Sequence, residues 1–197
     1  MERVLSGRPR DPQLEKRLLA AAWSLLTSEG YDALSLTKVA AAADAHRTDV
    51  YRRWSSKTQL VVDVVAEHLP PIPATDTGTL LGDLRAHVAG LALSWAAPWM
   101  DGLVGALGDL RYDPDAELAF LNVGLSRGQG ARDALRRAVE RGELAGMPVD
   151  EELRLLGDLL EGMLMHRRMI ARQALDEDFL DAVAARAHRI AVSAVTA

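Results

Sequence analysis

Residues 35–60 read SLTKVAAAADAHRTDVYRRWSSKTQL, and this stretch leaves few choices of fold. Val39 leads into four alanines, 40–43, a run of high helix propensity whose small side chains let a neighbouring helix pack close. Ser35 stands at the N-cap position, where its hydroxyl can take an orphan backbone N–H. Asp44 ends the run; it tolerates the left-handed conformation such a turn needs, less well than Gly. Val50 and Trp54 then lie four apart and face inward on a helix expected over 47–54. Ser55-Ser56 breaks and recaps the chain before a helix over 57–69, with Leu60, Val61, Val64, Val65 and Leu69 along one side. Short helices joined by a tight turn are a common way of placing one helix in the major groove of DNA.

The rest of the chain fits an all-α protein punctuated by Gly and Pro. No run of period two bounded by turn residues is present. The first helix is expected to start near Asp11, with Pro12 at its first position and Gly30 as its stop. Residues 70–78, PPIPATDTG, form the clearest loop, which places a boundary between functional halves there. Helices are expected over 80–97, 99–110, 113–121, 125–141, 149–174 and 176–195. Gly102, Gly105 and Gly108 lie three apart and weaken their helix or allow a close approach. The organisation expected is a basic flexible arm (1–11), a DNA-binding domain (12–69) including the connecting helix 57–69, and a helical domain (70–197).

Charge distribution supports the reading. The net charge is −5, yet residues 1–68 carry +1 and residues 69–197 carry −6. Within 45–57, Arg47, Arg52, Arg53 and Lys57 oppose Asp49 alone, so positive charge concentrates where a nucleic acid would need it. The 197 residues contain no cysteine, which excludes disulfides, thiolate metal sites and a cysteine nucleophile and fits a reducing cytoplasm. The N-terminus has no apolar core of a secretory signal, and the longest apolar run, 88–100, is too short to span a membrane and contains Pro98.

A DNA-binding reading puts Arg47, Thr48, Tyr51 and Arg52 in or beside the groove, with Thr37, Arg53 and Lys57 near phosphates. Base-edge contacts specify sequence while phosphate contacts position the protein. Arg8 and Arg10 make the N-terminal arm basic. The competing reading is an ordinary helical hairpin with a solvated basic face. Asp49 either accepts from a cytosine amino group or pairs with Arg52 or Arg53 at helical spacing.

The residues Ser28-Glu29-Gly30-Tyr31, Leu34-Ser35-Leu36, Val39-Ala40, Ala43, Val50-Tyr51-Arg52-Arg53-Trp54, Ser56-Lys57 and Gln59-Leu60 together resemble the DNA-binding domain of the TetR (tetracycline repressor-like) family of bacterial transcriptional regulators. The resemblance covers about residues 8–68 and departs from the family pattern at Asp44, His46 and Asp49, so the target sequence is less defined than the family. A protonated His46 would add positive charge to the DNA face. The resemblance implies phosphate contacts from Tyr51 and Lys57. It implies about nine helices, with an N-terminal three-helix helix-turn-helix domain and a C-terminal dimerisation and ligand-binding domain. The function implied is that of a repressor released from a palindromic operator by a small molecule.

Apolar residues on more than one face of the last two helices fit the homodimer that the family forms there. The interface positions are Leu156, Leu160, Met163, Leu164, Phe179, Val183, Ala187 and Ile190; the alternative is a thick core within one chain. A family-type effector pocket would draw on Trp95, Trp99, Met100, Leu103, Phe120 and Met163, with His87 and His166 as polar contacts, although such residues equally serve as plain core. No phosphate-binding loop, metal-ligand pair or catalytic cluster accompanies them, so no enzyme, cofactor or metal is implied. A helical dimer that binds protein rather than DNA is the alternative function.

Overall fold

The computed structural model describes residues 12–70, 72–97 and 99–195. The expected basic arm, with Arg8 and Arg10, lies outside them. Every regular element among the described residues is helical: α1 (Pro12–Glu29), α2 (Leu36–Ala42), α3 (Arg47–Tyr51), α4 (Lys57–His68), α5 (Leu80–Ala96), α6 (Met100–Leu110), α7 (Pro114–Arg127), α8 (Gln129–Glu140), α9 (Asp150–Met165) and α10 (Glu177–Ser193). They form two compact units that do not follow chain order. One comprises residues up to His68 together with Asp101–Phe120; the other comprises Leu69–Met100 with Leu121–Ala197.

The first unit is built on α1 and α4. Leu18, Ala22 and Leu26 bury one face of α1, and Leu60, Val61, Val64 and Val65 bury most of α4. Burying each such Val or Leu contributes roughly 1.5–3 kcal/mol. Neither α2 nor α3 is long enough to hold itself in water; Val39, Ala40 and Val50, all fully buried, hold them to the core. The helix expected over 47–54 ends at Tyr51 instead. The backbone N–H groups of Arg53 and Trp54 both donate to the Val50 carbonyl, which closes the last turn. Ser56 Oγ then accepts from the Gln59 N–H at 3.0 Å, while Gln59 Oε1 accepts from the Ser55 N–H at 3.1 Å, a reciprocal start for α4.

Residues 101–120 complete this unit, which the loop at 70–78 conceals. A Cβ on Gly102 would come within 2.8 Å of Leu26 Cδ1 and one on Gly105 within 3.0 Å of Tyr31 Cβ, so these two glycines let α6 approach the end of α1. Tyr31 Oη donates to Asp109 Oδ2 at 2.6 Å and shares a 3.0 Å bond with Thr58. Burial, then the Asp109 bond, pushes its phenol up to about 12. Asp113 accepts from Ser56 Oγ, and from Gln59 Nε2 and the Ala116 N–H at 3.1 Å each. Burial alone would raise its carboxyl, but these bonds hold it below the usual range. Val62, Leu110 and Ala116 close the apolar layer.

In the second unit α5 packs on α8, α9 and α10. Leu80, Leu84, Val88 and Leu91 meet Leu135 and Ala138, Leu156, Leu160 and Leu164, and Val183, Ala184 and Ala187. Asp83 is buried and pairs with Arg137 at 3.1 Å and Arg141 at 3.4 Å. The break expected between residues 121 and 125 falls instead at Gly128, because α7 continues through Gly124. The helix expected over 149–174 stops at Met165, followed by a π-helical turn, His166–Ile170. Arg167 fastens the connection beyond it. The guanidinium donates to the Ala174 carbonyl at 2.7 Å and to Asp176 at 3.2 Å, and lies 4.3 Å from the centre of the Phe179 ring.

Candidate nucleic-acid interface

The turn between α2 and α3 has a definite cause. Ser35 Oγ accepts from the Lys38 N–H at 3.2 Å and fixes the start of α2. At the other end the Ala45 N–H donates to the Ala40 carbonyl at 2.9 Å and the Asp44 N–H to the Ala41 carbonyl at 3.2 Å. This pair of bonds requires a left-handed residue between helix and exit, and Asp44 supplies it with φ +48°. Its side chain takes the place where glycine would be unstrained. The same two-bond closure ends α8, with Gly142 at φ +77°.

The turn presents α3 with one face buried. Val50 is fully buried and Trp54 is 3 % exposed, its Nε1 donating to Asp63 at 2.8 Å. His46, Arg47 and Thr48 are exposed at the start of α3. His46 occupies the N-cap position without a side-chain capping bond. Arg47 donates to Thr37 Oγ1 at 2.8 Å, which ties α3 to α2. Thr37 and then Arg47 bond the Tyr51 phenol and lower its pKa. Thr37, Arg47 and Tyr51 thus form one exposed polar cluster, with Tyr51 half exposed.

The remaining basic residues divide. Arg52 reaches outward and pairs with Asp49 at 2.9 Å, one of the two alternatives for that acid. Arg53, one residue on, is turned inward: its side chain is 3 % exposed, bonds the Asp49 carbonyl at 2.9 Å and lies 3.6 Å from Glu15. It is a structural strut, and the position near phosphate read from sequence does not describe its side chain. Lys57 is likewise engaged, donating to the Tyr31 carbonyl at 3.1 Å with its ammonium 3.8 Å from the centre of the Tyr31 ring. Lys38, not singled out from sequence, is an exposed cation on α2 held, among the described residues, by a surface pair with Glu29. Exposed pairs of that kind contribute little. Its place three residues after the Ser35 cap was the available signal.

The apolar positions expected at an interface and a pocket scatter. Leu156, Leu160, Leu164, Val183 and Ala187 are spent on the second unit's own core, while Met163, Phe179 and Ile190 are partly buried beside it. Leu155 and Leu159 face outward on α9. An open groove of about 760 Å³ runs between α9 and α10, bordered by Leu159, Met163 and Ile190. Of the pocket residues, Leu103 and Phe120 belong to the first unit, where Phe120 packs by Ala116. His87, Trp95, Trp99, Met100, Met163 and His166 belong to the second unit. Trp99 and Met100 are buried, and His166 is exposed in the π-helical turn. Among the described residues no His, Asp or Glu cluster is arranged to hold a metal, and no helix is long and apolar enough to cross a membrane.

Two family models together match most of the chain. Residues 18–64 match the model for bacterial regulatory proteins of the tetR family, and residues 74–187 match the tetracyclin repressor-like C-terminal domain. The DNA-binding transcriptional repressor TetR of Mycobacteroides abscessus is 35 % identical over 166 residues, covering 83 % of this chain and 85 % of that protein. The uncharacterised regulator YdeS of Bacillus subtilis is 28 % identical over 180 residues, covering 88 % and 87 %. Among solved structures, the TetR family transcription regulator SCO0332 superimposes with a TM-score of 0.68 at 27 % identity over 90 % of this chain and 97 % of its own.

Proposed function

The chain belongs to the TetR family and is a helix-turn-helix transcriptional regulator, and from that membership we propose that it is a homodimeric repressor released from a palindromic operator by a small molecule. The observation that carries the DNA-facing part is the exposed Thr37, Arg47 and Tyr51 cluster on the α2–α3 turn. Arg47 and Thr48 reach base edges, Tyr51 and Thr37 bond phosphates, and Arg52 exchanges Asp49 for a phosphate or a base. Ser35 and Arg53 serve by holding α2 and α3 in place. Arg8 and Arg10 extend the contact from the arm. Lys57 contributes through the field of its charge.

The outward apolar face of α9, with Met163 and Ile190 beside the groove, would bury against a second copy. Two copies present two α3 helices to half-sites about one helical turn apart. A ligand that binds the released form more tightly shifts the population towards it, and one with equal affinity for both forms shifts nothing. Such a protein works on DNA in the bacterial cytoplasm.

Selection of bound duplexes from a random pool tests the proposal. Recovery of a palindrome, bound with steep salt dependence, supports it. A protein that ignores all duplex at low salt would sink it, and recovery of a single unrepeated half-site would sink the dimeric arrangement.

A further inference from the structure

The second unit holds a polar cluster that neither DNA contact nor the apolar core requires. His87 on α5 is 4 % exposed, and its Nδ1 has no hydrogen-bond partner. That nitrogen faces the first turn of α8: a Cβ on Gly130 would lie 2.9 Å from it. Burial, and then the charge of Arg127, brings the imidazole down to about 4, so it is neutral. Arg127, at the end of α7, donates to Ser94 Oγ at 2.7 Å and to the Pro70 carbonyl at 3.3 Å. Glu161 on α9 accepts from Trp95 Nε1 at 2.6 Å, and burial raises its carboxyl pKa. Among the described residues, Arg127 and Glu161 sense each other's charge but make no ion pair with each other or with a third group.

A core selected only for stability would pair two such charges or replace them with apolar groups. Here the donors gather on one side. Arg127 brings a guanidinium and His87 an unused ring nitrogen. Beside them α8 begins behind Gly128 with no side-chain cap. That set suits an anionic oxygen. Val88 and Leu91 on α5 and Ala131 on α8, buried in the apolar core on the same two helices, suit a hydrocarbon body.

We propose that this cluster is the head-group end of the effector site, and that the effector is a small organic acid whose carboxylate is taken by Arg127 and His87 at the start of α8. The proposal rests on the reading of the second unit as effector-binding. An arriving carboxylate competes for the Arg127 donors that hold the Pro70 carbonyl, two residues beyond the end of α4, so occupancy is felt where the chain leaves that helix. Glu161 opposes the acid and sets how tightly it binds.

The test uses the full chain, its selected duplex, and a panel of benzoate, salicylate, phenylacetate and octanoate set against their primary amides, with benzylamine as the opposite charge. At least one acid should raise the melting temperature saturably where its amide does not, and should release the duplex. Arg127→Met should weaken that acid at least tenfold and His87→Asn severalfold. Glu161→Gln should tighten it, a change of opposite sign that keeps the question open to decision if Arg127→Met does not fold. Acids no better than amides, equal acid affinity in folded Arg127→Met, or preferential binding of benzylamine lost in Glu161→Gln would each overturn the proposal. A protein that holds its duplex yet ignores every acid defeats this inference and leaves the regulator intact. Failure to bind any duplex defeats the operator reading, whatever the acids do.

Discussion

The α2–α3 segment and the α9–α10 pair spend apolar residues in opposite ways. Around α3 they are few, and Val50 and Trp54 are buried, so every polar side chain nearby has a definite direction. Along α9, Leu156, Leu160 and Leu164 point into the unit while Leu155 and Leu159 point out. A one-sided helix announces its inside. A two-sided one needs two partners and does not say which face meets which.

The sharpest probe of that contrast is a pair of truncations on α9. Leu164→Ala should cost about 2–5 kcal/mol of folding stability, since it empties a site with no exposure. Leu159→Ala should cost under about 1 kcal/mol in folding while weakening the proposed homodimer. Chemical denaturation at fixed concentration and sedimentation across a concentration series measure the two, and equal folding losses would erase the distinction between the faces.

Buried polar groups extend the comparison, since the second unit hides a histidine whereas α3 displays its polar residues. The His87 pKa is depressed from 6.5 to about 4 in the folded chain, so the unfolded chain binds the extra proton first. The associated stability is intact above pH 6.5 and is lost as pH falls towards 4, to a total of about 3 kcal/mol. Denaturation midpoints followed through that window should fall more steeply for the natural protein than for His87→Asn. Parallel curves would mean the imidazole is not held neutral.

Neighbouring arginines break the comparison down to one residue. Arg53→Ala removes a strut and should cost roughly 1–3 kcal/mol of stability. Arg47→Ala should leave melting unchanged and weaken duplex binding by about 1–3 kcal/mol. Exchange of those outcomes would reverse the assignment of inward and outward charges. The smallest effect is at the turn. Asp44→Gly should stabilise by about 1 kcal/mol by relieving the left-handed strain, and Gly142→Ala should destabilise by a similar amount at the equivalent closure of α8. Thermal melts of both variants give the signs.

What could be seen beforehand was whatever depended on neighbours in sequence. Pro12, the Ser35 cap, the Asp44 turn and the inward Val50 and Trp54 are local features, and each is present as written in the chain. The fate of Arg53 was not local, because it depends on Glu15, far away in sequence. Lys57 depends on Tyr31 in the same way. The pocket residues share only their type, and composition cannot tell that Phe120 packs by Ala116 while Trp95 bonds Glu161. Gly102 and Gly105 were visible as a pattern, but what they approach was not.

The return of residues 101–120 to the first unit has a consequence for how the protein is made. At about 5–20 residues per second, synthesis reaches Phe120 roughly 3–10 s after His68. Through that interval Tyr31, Ser56 and Val62 wait for Asp109, Asp113 and Leu110. A nascent chain therefore completes its first unit only after the whole of α5, the first helix of the second unit, has already been made.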